Sequence, residues 1–368
     1  MALFLIIPTI FVGLVGLFYG EADLDYLLLR SLRLIVVVIG TWFIVRSFLV
    51  IGSVEQLLVV AILAIFLNSI FSYLMFFNLS FREAILPYLY FNEDRVLSSN
   101  LNRTGGILTG GGASASVFAF FGVVITISLI CQHKLSSFLG ASLILFFTGA
   151  SLLAGRTGMY LSFLFILLLP FIISHTCVYW CVNKGHFLIL KGWATLFWLI
   201  IILILLFFSM NYFFTIELHD GVEWWFNRTF ATIINFFNSG NFQDDTVDVL
   251  LTQFNIKNDI FVLLFGSGSD VGYQGRLFEA DHGYLKYIQA FGFVGSLFAI
   301  FPYIYMLLTT RSANSLSRIL FILVLVSLVV HAKEIFLYNR GSFNILMLVY
   351  SSYLYKKYII LKEKVNNG

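Results

Sequence analysis

Charge is scarce in this chain. Asp, Glu, Lys and Arg make up 11% of its 368 residues, against 60% hydrophobic ones. A soluble domain carries about 25% charged and about 45–50% apolar residues, so a water-soluble globular fold is excluded and an integral membrane protein is expected. The apolar runs are continuous rather than alternating, which excludes a membrane β-barrel and leaves a helical bundle. The net charge of +3 gives no polycation, and nucleic acid is not expected as a partner. Cysteine is nearly absent. Cys131, Cys177 and Cys181 show no metal-ligand spacing, so they read as small apolar residues. A cleavable signal peptide is also lacking. The first apolar run, from Ala2 to Tyr19, has no basic n-region and no small-x-small site, and reads as a retained first helix.

What is there is apolar length. A span needs about 20 apolar residues. About ten runs qualify, at 2–19, 32–51, 54–77, 113–131, 137–154, 159–180, 192–214, 283–308, 317–335 and 342–360. The tail carries Lys356, Lys357, Lys362 and Lys364, which places it in the cytoplasm. An even number of spans then puts both termini inside. The expected organisation is a transmembrane bundle over 1–214, a large outer loop over 215–282, and C-terminal helices with a cytoplasmic tail over 283–368. Two outer loops are long, Asn78–Gly112 and Thr215–Asp281. In the second, 222–238 has amphipathic spacing for a helix lying on the membrane surface, and 245–254 reads as a second short helix.

The cations are sorted by type. Lysine dominates the inner face. Arg30, Arg33, Arg82, Arg95, Arg103, Arg156, Arg228, Arg276 and Arg340 fall on the outer one. Arginine recognises phosphate with two parallel hydrogen bonds, so an anionic ligand such as a lipid phosphate or pyrophosphate is expected there. The alternative is arginines that snorkel to headgroups or pair with nearby carboxylates. Two arginines share a motif, Arg103-Thr104-Gly105 and Arg156-Thr157-Gly158. Both are expected at helix ends on the outer face, where two cations can clamp a pyrophosphate. The glycines after Arg103 allow the backbone to approach a ligand closely or to re-enter the membrane.

The densest group of acid/base and anion-binding side chains is Arg276, Glu279, Asp281, His282 and Tyr284, at the seam between the large loop and a membrane helix. Such a cluster at a membrane boundary is a functional-site hypothesis by default. His282 is the expected general base, oriented by Asp281 or Glu279. The alternative is a helix-capping Asp beside a surface His. Gly266-Ser267-Gly268 lacks a βαβ setting and reads as a tight turn aiming the chain at this seam, not as a dinucleotide loop. Asp244-Asp245 with Asp248 has the composition of a Mg²⁺ site but the setting of a solvated face. His331, Lys333, Glu334 and Arg340 form a further polar group toward the outer side, with Arg340 a candidate anion contact.

These residues carry a resemblance. About ten helices, a large outer loop before the last few, and the run FGSGSD…DHGYLKYIQAFGFVGSL are similar to Wzy-type O-antigen or oligosaccharide repeat-unit polymerases and the related O-antigen ligases. The family's G-x-G turn resembles Gly266–Gly268. Its helix start resembles His282-Gly283-Tyr284-Leu285, and its G-x-x-G helix body Gly292–Gly295. Its R-x-x-G loop resembles Arg103–Gly106, and its G-R-T-G turn Gly155–Gly158. Where the family commonly has Pro-Asn after R-x-x-G, this chain has Gly110-Gly111-Gly112.

The resemblance implies a GT-C-like glycosyltransferase in the bacterial inner membrane with its site facing the periplasm. Its partners would be undecaprenyl-pyrophosphate-linked oligosaccharides, membrane lipids and a chain-length regulator. It implies an inverting reaction without metal or other cofactor. His282 with Asp281 would act as base. Arg103, Arg156, Arg276 and Arg228 would hold pyrophosphate, and Tyr284 would meet sugar or lipid. A ligase that moves glycan onto lipid A core, and a flippase for lipid-linked oligosaccharide, stay open as alternatives.

Overall fold

The structure, a computed structural model, describes residues 24–89, 106–107, 113–155, 157–158, 160–162, 164, 260–266, 283–310, 315–333, 336–338 and 340–366, with isolated positions 7, 10 and 14. These residues form helices α1 (Leu24–Ile51), α2 (Val54–Phe77), α3 (Leu79–Leu89), α4 (Ala113–Cys131), α5 (Ser137–Ala154), α6 (Ile260–Phe265), α7 (Gly283–Thr309), α8 (Ser315–Lys333) and α9 (Arg340–Asn366). No strand occurs among them. Five are long and apolar enough to cross a membrane: Leu32–Ile51 within α1, all of α2, α5 and α7, and Leu316–Lys333 within α8. Large apolar side chains lie exposed along these helices, among them Val36, Phe43, Leu63 and Val329, as lipid-facing surfaces require. The chain is a multi-pass membrane protein. The helical bounds 54–77, 113–131 and 137–154 match the apolar runs, while 192–214 and the surface helices expected at 222–238 and 245–254 lie outside the described residues, as do all but a few positions of 2–19 and 159–180.

The chain divides into two compact units, one of Met1–Val60 with Gln243–Gly368 and the other of Ala61–Phe242, so the boundary falls inside α2. In the first unit α1 packs on α9, α9 on α8, α8 on α7 and α7 on α6. The turn before α2 is closed by a capping box. The Ser53 N–H donates to Gln56 Oε1 (2.8 Å) and the Gln56 N–H to Ser53 Oγ (3.3 Å). Helix extends beyond the apolar runs, into the start of the loop expected at Asn78–Gly112 and ahead of the run 32–51. Residues 24–31 lengthen α1, and 79–89 form α3.

In the second unit α4 is the central helix, with nearly every residue from 115 to 129 buried. It packs antiparallel on α5. Small residues allow the close approach: Gly122 lies against Phe147 and Ile65, and Gly140 against Ile130. Tyr73 of α2 reaches α5, its hydroxyl donating to the Phe146 carbonyl at 2.9 Å. At Asn78 the chain bends sharply. Asn78 Oδ1 accepts the Phe81 N–H (2.9 Å) and starts α3, and Phe71 and Phe81 rings meet at 6.0 Å. Ten residues along a straight helix would separate them by about 15 Å, so α3 folds back on α2. At about 16 Å long, α3 is too short to span.

Candidate functional site at the start of α7

The break in α7 organises the first unit. Gly292 has φ 65° and ψ 179°, so this helix consists of two segments, 283–291 and 293–309. The straight helix expected from the apolar run 283–308 is thereby corrected. The first segment folds across α8. Counting back equally from the connection at 310–314, Leu328 of a straight antiparallel pair would lie opposite Ser296. Instead the Tyr284 hydroxyl donates to the Leu328 carbonyl at 2.7 Å. Tyr284 is twelve residues further along, about 18 Å of helix rise. The Tyr284 side chain is therefore a strut between α7 and α8, and Gly283, the residue bonded to His282, is buried.

His331 sits at the centre of this end of the unit. It is fully buried, with Tyr284 and Tyr287 rings packed edge-on at 4.7 and 4.4 Å. Its Nδ1 accepts the N–H groups of Phe336 (3.0 Å) and Leu337 (3.4 Å). An accepting Nδ1 leaves the proton of a neutral imidazole on Nε2. The same turn is held from α7. Tyr287 donates to the Leu337 carbonyl (3.2 Å), the Tyr338 N–H donates to the Tyr303 hydroxyl (3.1 Å), and the Tyr338 hydroxyl donates to the Ala299 carbonyl. Pro302 supplies no N–H to the α7 ladder, and Tyr338 binds beside that defect. His331 was legible as a polar residue near the end of an apolar run. Its work as acceptor for the 336–338 turn was not, because it depends on two main-chain N–H groups brought to one ring nitrogen.

The two R-T-G segments fall within the second unit; after the first the structure describes Gly106, and of the second Thr157 and Gly158. Gly106 is buried at φ 68°, and a Cβ there would fall 2.7 Å from Asn68 Oδ1 and on the Asn68 carbonyl. Asn68 is nine residues, about 13 Å, inside α2 from its Phe77 end, so Gly106 is seated well along α2. The other turn is tied to α4. Ser116 Oγ lies 2.8 Å from the Ser151 carbonyl and 2.6 Å from that of Gly155, and accepts the Gly158 N–H at 2.8 Å. A Cβ on Gly158 would fall on the Ser116 backbone. The residues flanking Arg156 are thus fixed to the start of the central helix. Arg82 of α3 is buried to 6% exposure, which its place in an apparent loop concealed.

Of the residues given a catalytic or substrate-binding role from sequence, Tyr284 is the one whose side chain the structure describes. Arg340 is the first residue of α9, its side chain outside the described residues. Arg103, Arg156, Arg228, Arg276, Glu279, Asp281, His282 and Asp244–Asp248 also lie outside them. No group of three His, Cys, Asp or Glu side chains suited to a metal occurs among the described residues. No protein-family model, curated protein or solved structure matches the chain.

Proposed function

We propose that the chain is a membrane glycosyltransferase that polymerises a surface polysaccharide, with a GT-C-like core of about ten spans. It transfers the growing glycan from undecaprenyl pyrophosphate to a new lipid-linked repeat unit at the periplasmic face of the bacterial inner membrane. His282, oriented by Asp281, takes the proton of the acceptor hydroxyl. The hydroxyl oxygen attacks the anomeric carbon, and the carbon–oxygen bond to undecaprenyl pyrophosphate breaks with inversion. That leaving group needs charge stabilisation rather than a proton, which Arg103, Arg156, Arg228, Arg276 and Arg340 supply.

The observation that supports this reading is the anchoring of 283–291. The segment that follows Asp281–His282 begins at a buried glycine and is fastened across α8 by Tyr284. A proton-transfer role requires a positioned acid/base pair, and the fastened segment begins one residue after His282. A second reading, a transporter of lipid-linked oligosaccharide, draws on the break at Gly292, since transporters place broken helices at their substrate sites.

The test is the lipopolysaccharide ladder of a deletion strain complemented with wild type, His282→Ala or Arg156→Ala, with membrane expression checked. Wild type restores the ladder and both variants stop at core plus one repeat unit. A full ladder from well-expressed His282→Ala removes the base. A deletion strain lacking even the single repeat transfers the case to ligase or flippase.

A further inference from the structure

The two segments of α7 meet different surroundings. Beyond the break, Phe293, Leu297, Phe301, Ile304 and Leu308 are exposed at helical spacing, a stripe turned to lipid. Before the break, no residue from Gly283 to Phe291 is exposed. Every face of the first segment is at least partly covered by protein. Its buried face is Gly283, Tyr287, Ala290 and Phe291, and Tyr284 ties it to α8. Apart from the tyrosines, its polar side chains are Lys286 and Gln289. They lie three residues apart, neighbours on the helix surface off the buried face, and both are half-buried. A lysine near the end of a membrane helix ordinarily snorkels to headgroups along a lipid-facing flank. A covered segment offers no such flank. A cation held within protein at membrane depth instead marks a substrate or ion path.

The chain bearing the candidate base is fixed to this segment at both ends. Gly266 is seated on Ala290 and Gly292, and Gly283 opens the helix. Residues 267–282, with Arg276, Asp281 and His282 among them, thus leave from one end of the segment and return at the other. From Gly283 to Ala290 the axis rises about 10 Å. Lys286 stands between these ends, about 4.5 Å along the axis from Gly283. It comes four residues after His282, the spacing of one helical turn.

We infer that Lys286, supported by Gln289, binds the pyrophosphate of the lipid carrier. The inference rests on the polymerase reading and adds to it a cation on the helix that follows the base. In that reaction the base meets the attacking hydroxyl, and negative charge gathers on the oxygen leaving the same carbon. Base and cation are therefore needed on either side of one anomeric carbon, as two groups a helical turn apart can stand. Lysine offers a compact charge with three N–H donors. Such a group stabilises the leaving pyrophosphate without giving it a proton. The Gln289 amide adds neutral donors one turn further along.

The full chain in phosphatidylcholine nanodiscs tests this, with undecaprenyl pyrophosphate and inorganic pyrophosphate as probes and phosphatidylglycerol nanodiscs as the bulk-lipid arm. Undecaprenyl pyrophosphate raises the wild-type melting temperature. Lys286→Met weakens its binding about tenfold or more, as expected for a hydrogen bond between charged groups, and Gln289→Leu about threefold. Lys286→Arg keeps the charge and most of the affinity. Added salt lowers the wild-type affinity more steeply than that of Lys286→Met, a difference that a merely structural lysine would not produce. Should Lys286→Met fail to fold, Lys286→Gln carries the same test. Wild-type binding and salt dependence in the folded, uncharged variant overturn the assignment, as does a wild type that binds neither pyrophosphate probe. A Lys286-dependent response to phosphatidylglycerol alone gives the lysine to bulk headgroups and also overturns it. Binding is read without turnover, so the polymerase reading fails separately, on the ladder of His282→Ala.

Discussion

At Gly266 and Gly292 the backbone of α6 and that of α7 each fill the other's side-chain space. A Cβ on Gly266 would fall on the Ala290 carbonyl, and a Cβ on Gly292 would fall on the Leu264 carbonyl. Both have left-handed φ, at 83° and 65°. The contact is reciprocal, each glycine meeting the carbonyl two residues before the other. The short apolar helix α6 is thereby seated against the break in α7, with backbone touching backbone.

Alanine at either position is therefore expected to destabilise the protein. The positive-φ conformation alone costs about 1–3 kcal/mol, and the overlap with main chain adds to it. Gly40 is the control. It lies inside α1 with nothing within 4 Å of its Cβ position, so Gly40→Ala stabilises by about 0.5–1 kcal/mol. Thermal unfolding in detergent reads all three. Wild-type melting of Gly292→Ala contradicts the joint.

The Ser116 bonds predict a second series. Ser116→Ala strands the buried Gly158 N–H and costs about 1–3 kcal/mol. Gly158→Ala costs more, because its Cβ meets the Ser116 backbone. Both displace the turn carrying Arg156, so both are expected to shorten the glycan ladder at normal membrane levels. Normal stability and ladder in Gly158→Ala refutes the tie.

His331 and Tyr284 separate by magnitude. His331→Phe leaves two buried N–H groups of the 336–338 turn without an acceptor, about 1–3 kcal/mol for each left unsatisfied. Tyr284→Phe deletes one hydroxyl–carbonyl bond, about 0.5–1.5 kcal/mol. His331→Asn keeps an acceptor at the δ position and recovers part of the loss. The reverse order in melting temperature contradicts the assigned role.

Part of this was legible in the residues. Helices 54–77, 113–131 and 137–154 stand between polar turns, Gly52-Ser53, Asn78 and Gln132–Ser136, and hydrophobic length alone marks them. The break at Gly292 was not legible, because G-x-x-G inside an apolar run reads as a packing face. The available signal was the echo of Phe265-Gly266 in Phe291-Gly292. Helix α3 was hidden by Arg82, Glu83 and Pro87, which read as loop until Asn78 is seen to turn the chain back.

The central claim is glycan transfer between lipid carriers, and reconstitution reads it most directly. Purified chain in proteoliposomes receives undecaprenyl-pyrophosphate-linked single repeat units, and the products are resolved by glycan length and by released undecaprenyl pyrophosphate. The account predicts longer lipid-linked glycans, one carrier released per unit added, and neither product with His282→Ala. Wild-type chain that leaves the single units unextended, while moving them across the bilayer, would contradict it.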